Sequence, residues 1–301
     1  MTRSAPLRIG LVGGGHWARA VHAPAIAAHA DTELAAVWTR RPEVAAEIAA
    51  PHAAAVAGSF SELVAAVDAV AFAVPPAVQA GLAIEAAAAG RHLICEKPLA
   101  EDVAGARRVV DAVAAAGVVS SVVLTLRHDA GVRKWLAGFD DEPAGSDTVG
   151  TARWLSGSLL GGPYAASGWR AEPRNGAVLD LGPHVVDLLE SALGPVVAVE
   201  WARHDERDLW RFGLRHAGGA RSTSMMSLRL PIDPSEIEIA AFGGVGAQVF
   251  RGRVADATAC YAALLDEFVA AVRGSGSPPV ADAARGLRLQ EIIDEVRRVA
   301  V

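Results

Sequence analysis

From Leu7 to Leu124 the chain alternates short apolar runs with helical runs, and this rhythm restricts the fold more than any other feature. Leu7–Val12, Leu34–Trp38, Asp68–Val74, His92–Cys95 and Val118–Leu124 read as strands. Between them lie a run ending near His29, a helix entered at Pro42, a short helix opened by the capping box Ser59-Phe60-Ser61-Glu62, and Ala77–Ala89 with Gly90 as its stop. Asp102–Ala116 follows, with Gly117 just past its end. Repeated β-α units of this length imply an α/β fold with a parallel, doubly wound sheet. The first domain is expected over residues 1–124.

After residue 124 the rhythm changes. Val132–Gly138 reads as a helix, and Phe139–Asp147, acidic and broken by Pro143 and Gly145, as a loop. Strand-like runs then appear at Thr151–Leu159, Val196–Arg203, Trp210–His216, Thr223–Leu230, Glu236–Phe242 and Ala247–Arg253. No long helix separates the last four, which favours a mostly antiparallel sheet in a second domain over 125–301. Helices over Ala257–Arg273 and Ala281–Val299 finish the chain, and the last is expected to reach back to the first domain.

The first strand runs into Gly13-Gly14-Gly15-His16-Trp17-Ala18, a G-x-G-x-x-A pattern between strand and helix. Glycine permits the tight turn and a close approach of backbone to a pyrophosphate, and the helix N-terminus attracts the anion. Gly13, Gly15, His16 and Trp17 are therefore candidate cofactor contacts, with a plain surface role the alternative for His16. About 20 residues on, NAD-binding chains carry an acid for the ribose; here stand Thr39, Arg40 and Arg41. A hydroxyl and guanidinium groups can hold a 2′-phosphate that an acid would repel. NADP is the expected cofactor, with NAD the alternative and solvated arginines the plain reading.

The hexapeptide Ile94-Cys95-Glu96-Lys97-Pro98-Leu99 ends the fourth main strand. Ligands of open parallel sheets sit outside the carboxyl ends of the strands, where Lys97 falls, and Pro98 keeps Lys97 out of helix. Farther on, Asp180, His184 and Asp187 recur at i, i+4 and i+7 in an otherwise apolar run, Gly176–Leu189. Pro183 places the start of regular helix near Leu181 or Gly182. An acid beside a histidine orients the ring for proton transfer; a polar stripe with Asp180 as a cap is the plain reading. One histidine and two aspartates make a thin metal site, so no metal is expected.

With a hydrophobic content of 52%, the 301 residues can bury two cores, and the net charge of -6 gives no footprint for nucleic acid or an anionic membrane. Cys95 and Cys260 form no disulfide or metal pattern, and the start lacks an apolar leader, so a cytoplasmic protein is expected. No run approaches a membrane span.

Leu7–Ala18, Glu96-Lys97-Pro98 and Asp180-Leu181-Gly182-Pro183-His184, with Trp169-Arg170 and Gly286-Leu287…Glu291-Ile292-Ile293, together resemble the Gfo/Idh/MocA oxidoreductases. The resemblance covers nearly the whole chain. It implies an N-terminal Rossmann domain, a C-terminal α/β domain whose open, mostly antiparallel sheet mediates a homodimer or homotetramer, and a substrate between nicotinamide and the helix carrying the histidine. It implies hydride transfer to or from a secondary alcohol or ketone of a sugar, polyol or related cyclic compound. Carried over, Lys97 holds the reacting oxygen, His184 is the base or acid, and Asp180 positions substrate or histidine. Glu96, Lys97, Val74 and Pro75 border the cofactor, while Arg127, Trp169 and Arg170 border the substrate. A cis peptide before Pro98 accompanies the motif in similar proteins. A nucleotide-dependent glycosidase and a non-enzymatic nucleotide-binding regulator are the alternatives within the same fold.

The chain departs from the family pattern after Val74-Pro75, where Gln79 stands in place of the usual histidine, and at Thr125-Leu126-Arg127-His128. His22, His29, His52, His92, His204 and His216 have no partner visible in sequence and default to structural or solvated roles. Asp205-Glu206-Arg207-Asp208, alternating in sign, reads as a solvated turn. Gly161–Arg174 reads as a glycine-rich loop.

Overall fold

The computed structural model describes residues 5–139, 145–172, 175–244, 246–252 and 256–301. Outside them fall Met1–Ser4 of the expected start, Asp140–Ala144 of the acidic loop, Pro173 and Arg174 of the glycine-rich loop, and Arg253 of the last expected strand. The chain divides into two compact units: Met1–Thr125 with Asp256–Leu287, and Leu126–Ala255 with Arg288–Val301.

The first unit is built on six strands, β1 (Leu7–Val12), β2 (Thr32–Trp38), β3 (Ala55–Val56), β4 (Ala69–Phe72), β5 (His92–Cys95) and β6 (Ser120–Val122), in the order β3-β2-β1-β4-β5-β6. Every pairing is parallel. This is the doubly wound order, with its switch point between β1 and β4. The strands are short and apolar because helices cover both faces; all four residues of β4 are buried. The helices are α1 (Ala23–Ala28), α2 (Pro42–Ala49), α3 (Phe60–Ala66), α4 (Pro76–Ala88) and α5 (Val103–Ala116), with a π-helical stretch, Ala18–His22, leading into α1.

Local chemistry sets the helix ends. Ser59 Oγ accepts from Glu62 N at 3.1 Å, while the Glu62 carboxylate accepts from Gly58 N, closing the capping box one residue early. Such caps are worth about 1 kcal/mol. Asp102 caps α5 and Gly117, at φ +64°, ends it. β6 is shorter than the apolar run around it, because Leu124 N–H turns back to Val122 O. A late segment completes this unit. In the helix Ala257–Val272, Tyr261, Leu264, Leu265 and Phe268 join the core formed by Ile9, Leu11 and Ile26. The helix Ala283–Val299 starts with its first N–H on Ser120 Oγ at 3.0 Å.

The second unit carries β7 (Val149–Leu155), β8 (Val196–Asp205), β9 (Leu209–His216), β10 (Arg221–Ser227), β11 (Glu236–Gly243) and β12 (Gly246–Arg251) in the order β12-β11-β7-β10-β9-β8. The β7–β10 pair is parallel and the other four pairs are antiparallel. Its helices are α6 (Ala130–Leu136), α7 (Gly168–Ala171), α8 (Gly176–Asp180) and α9 (Gly182–Leu193). α9 covers one sheet face: Gly150 of β7 leaves the space that Leu189 and Leu193 fill. On β10, Ser222, Ser224 and Met226 turn inward and Arg221, Thr223 and Met225 outward. The outward face exposes Val149, Trp201, Met225 and Phe242.

Candidate active site

In the first unit the candidate residues gather at the carboxyl edge of the parallel sheet, after β1, β2, β4 and β5. Gly13 has φ +133°, and a Cβ there would collide with the Ala73 carbonyl at the end of β4. A Cβ on Gly14 would lie 2.6 Å from Val44 Cγ1 of α2. Gly15 differs: a Cβ there would meet nothing within 4 Å. The first glycine thus makes the tight turn, the second packs on protein, and the third leaves its backbone open to an incoming group. Ala18 is wholly buried, as close packing of the helix on the sheet requires, while His16 is exposed and Trp17 half-buried. These residues fit a dinucleotide pyrophosphate.

Thr39 is committed locally. Its hydroxyl donates to Arg41 O at 2.7 Å and accepts from Arg41 N at 3.0 Å, closing a turn that leaves Arg40 and Arg41 exposed. Val74 is half-buried and Pro75 exposed at the end of β4.

Beyond β5, the turn Glu96-Lys97-Pro98-Leu99 contains a cis Lys97–Pro98 bond. Gln79 of α4, fully buried, holds this turn: Nε2 donates to Glu96 O at 2.7 Å, Leu99 O at 3.0 Å and Pro98 O at 3.3 Å, and Oε1 accepts from Glu96 N at 2.8 Å. Behind it stands a histidine read in sequence as partnerless. His22 is wholly buried, with Nε2 2.9 Å from Glu96 Oε1 and Nδ1 3.0 Å from the Tyr261 hydroxyl. Burial, then the Glu96 carboxylate, pushes the Cys95 thiol up to about 12, so it is protonated and no nucleophile.

In the second unit the helix over 176–193 breaks at Leu181, between α8 and α9. Pro183 sits in the first turn of α9, where its missing N–H leaves no donor lost. Asp180 ends α8 and pairs with Arg170 at 2.9 Å. The Arg170 guanidinium lies 4.2 Å from the Trp169 ring centroid and 5.0 Å from that of Tyr164, and donates to Ser167 Oγ. His184 is buried, its ring 5.7 Å from that of Trp154.

The i, i+4, i+7 trio therefore serves separate partners. Asp187, 1% exposed, pairs with Arg127 at 3.3 Å, and Arg127 also donates to Ser191 Oγ. Arg127, a candidate substrate contact by sequence, is engaged with α9. Beside it, burial first and then Arg133 and Arg127 push His128 down to about 4, so it is neutral at pH 7.

Two residues that shape this region escaped the sequence reading. Asp208, expected in a solvated turn, is half-buried at φ +54° with its side chain 7% exposed; it accepts from Ala177 N at 2.8 Å and Trp210 Nε1 at 3.1 Å. It thus anchors the start of α8, and a Cβ on Gly176 would collide with it. Burial pushes its carboxyl up against the opposing pull of those hydrogen bonds. Asn175 ties Trp169 O to Arg297, bracing the aromatic loop. Four other histidines are paired or packed: His29 with Asp266, His92 with Val119 N, His204 stacked on Trp210, and His216 between Gly194 O and Ser222. Among the described residues no group of three or more His, Cys, Asp or Glu could hold a metal ion, and no helix is long and apolar enough to cross a membrane.

Residues 7–124 match the family model for an oxidoreductase family with an NAD-binding Rossmann fold, GFO_IDH_MocA. The chain is 34% identical over 206 residues to the dTDP-3,4-didehydro-2,6-dideoxy-alpha-D-glucose 3-reductase of Streptomyces violaceoruber, covering 66% of this chain and 58% of that protein. It is 30% identical over 270 residues to an uncharacterized oxidoreductase of Synechocystis, covering 82% of this chain and 69% of the other. The solved WlbA dehydrogenase from Bordetella pertussis, in complex with NADH and UDP-GlcNAcA, superposes with a TM-score of 0.83 at 26% identity, over 98% of this chain and 96% of that one. The chain spans less than two thirds of the Streptomyces reductase's length.

Proposed function

Given that the chain belongs to the Gfo/Idh/MocA family of NAD-binding Rossmann oxidoreductases, we propose that it is an NADP-dependent dehydrogenase or reductase acting on a sugar, polyol or related cyclic hydroxy/keto compound. The observation that carries this reading is the shared edge of the first sheet. The open glycine turn after β1, the end of β4 and the Lys97 turn after β5 all lie at the carboxyl ends of parallel strands, where dinucleotides bind in this topology.

Nicotinamide supplies the hydride acceptor or donor. The chain's own residues handle the proton and the oxygen. Oxidation of a secondary alcohol removes a hydroxyl proton as hydride departs from the carbon, and we assign proton removal to His184. Lys97 donates to the reacting oxygen and stabilises its developing negative charge. Asp180, held by Arg170, orients the substrate or the histidine. Trp169, with its ring beside Arg170, borders the substrate; Arg127, tied to Asp187, supports α9 from behind. Val74, Pro75, Glu96 and His16 line the cofactor side. Both cysteines are buried and outside any disulfide, in keeping with a reducing cytoplasm. The outward face of the second sheet, with Val149, Trp201, Met225 and Phe242 exposed, is assigned to a homodimer or homotetramer contact.

The NADP assignment rests on Arg40 and Arg41, presented by the Thr39 turn with no acid at the end of β2. Titration of the protein with each reduced nucleotide, read by quenching of Trp17 and Trp38, is expected to give NADPH at least about tenfold tighter binding, about 1.4 kcal/mol. Arg40→Ala with Arg41→Ala is expected to remove that preference. Equal or tighter NADH binding by the unaltered protein overturns the NADP assignment and leaves the hydride-transfer reading standing.

A further inference from the structure

A buried polar chain stands behind the Lys97 turn, and apolar packing alone does not account for it. His22 and Tyr261 are both wholly buried, come from elements 239 positions apart, and lie with ring centroids 4.6 Å apart. A carboxylate only accepts hydrogen bonds, so His22 in its neutral form carries its proton on Nε2 toward Glu96 Oε1. Nδ1 is then left to accept from the Tyr261 hydroxyl. The Tyr261 phenol is pushed well above its ordinary value by burial, then by Glu96 and Cys95, and so remains a donor. The second carboxylate oxygen, Glu96 Oε2, accepts from the backbone N–H of Lys97 at 3.2 Å. One donor sequence thus runs from Tyr261 through His22 to Glu96, and the carboxylate it fixes receives the Lys97 amide.

We propose that His22 and Tyr261 are positioning residues for Lys97, acting through the Glu96 carboxylate. Gln79 holds the backbone of the same turn from the α4 side, so Glu96 is gripped at both its main chain and its side chain. A hydrocarbon pair of similar volume would fill the space between the stretch Ala18–His22 and the helix Ala257–Val272 without burying an imidazole and a phenol. What the polar chain adds is direction: it leaves the carboxylate a single orientation, and with it the start of the Lys97 side chain. The catalytic consequence rests on the reading of Lys97 given above, whereas the positioning itself does not.

The sequence offers a direct test, because Lys97 and Lys134 are the chain's two lysines. Protein grown on lysine labelled with heavy nitrogen at its backbone amide gives one signal at the site and one control. Tyr261→Phe, which removes a single oxygen and keeps the ring, is expected to move the Lys97 amide signal and to speed its hydrogen exchange at least about threefold, with Lys134 unchanged. Glu96→Gln sets the full size of the effect, and His22→Gln, which retains a donor for the carboxylate, is expected to move the signal less than His22→Leu. On a substrate that is turned over, Tyr261→Phe is expected to lower kcat and leave the KM for the nucleotide unchanged. If Tyr261→Phe folds and its Lys97 signal moves no more than that of Lys134, the proposal is wrong, even if His22→Leu fails to fold. Movement of the signal with no effect on turnover confirms the positioning and removes Lys97 from the chemistry.

Discussion

Lys97→Ala is expected to bind the nicotinamide nucleotide as the unaltered protein does and to turn over its substrate about 10²–10⁴-fold more slowly, the contribution of one positioned proton-transfer or charge-stabilising group. The glycine turn that receives the nucleotide is made by Gly13, Gly15 and the packing of Ala18, none of which needs the lysine side chain. The loss therefore falls on kcat. His184 requires a gentler substitution. Its ring is buried near Trp154, and alanine would leave a cavity costing stability as well as chemistry. His184→Asn keeps most of the volume, removes the titrating imidazole and is expected to lower kcat over the same range. Steady-state kinetics beside nucleotide titration separates the two quantities. Turnover within about twofold of the unaltered protein in either variant would sink that residue's role.

The second large effect is on stability. Gln79→Leu replaces a buried amide by a side chain of similar size and strips the Lys97 turn of its anchor. Glu96 N–H and the carbonyls of Glu96 and Leu99 lose their Gln79 partner. Each buried polar group left unpaired costs about 1–3 kcal/mol, so a loss of at least about 3 kcal/mol is expected. Set against a total near 5–15 kcal/mol for a typical domain, that destabilises the first unit severely. Chemical denaturation of the two proteins measures the difference, and a loss under about 1 kcal/mol would show that water satisfies these groups and that Gln79 is no anchor.

Much of this site is local in origin and could be read from the chain. The turn at Gly13, the cap Ser59, the stop at Gly117 and the break near Leu181 follow from residue chemistry acting over a few positions. Lys97 at the end of β5 followed from the apolar run before it and Pro98 after it. The six strand-like runs of the second unit were placed by composition and spacing, but nothing local specifies that β7 pairs with β10 in parallel. The failures share one cause: a partner distant in sequence. His22 meets Tyr261 only because the helix Ala257–Val272 returns to the first core. Asp208 sits in a run of alternating charges that suits a solvated turn, yet its left-handed backbone turns the carboxylate onto Ala177 N. Asp187 shares a helical face with His184, but its charge is matched by Arg127, sixty residues earlier.

The most direct measurement is transfer of deuterium from reduced nicotinamide, labelled at its transferable position, to a panel of keto sugars and oxidised polyols. Deuterium on the new carbinol carbon of at least one compound, with matching loss of nicotinamide absorbance, is the expected result, and it should disappear in His184→Asn. Release of a leaving group from a glycoside without net change in the nicotinamide, or tight nucleotide binding with no transfer anywhere in the panel, would contradict the assignment as a dehydrogenase or reductase.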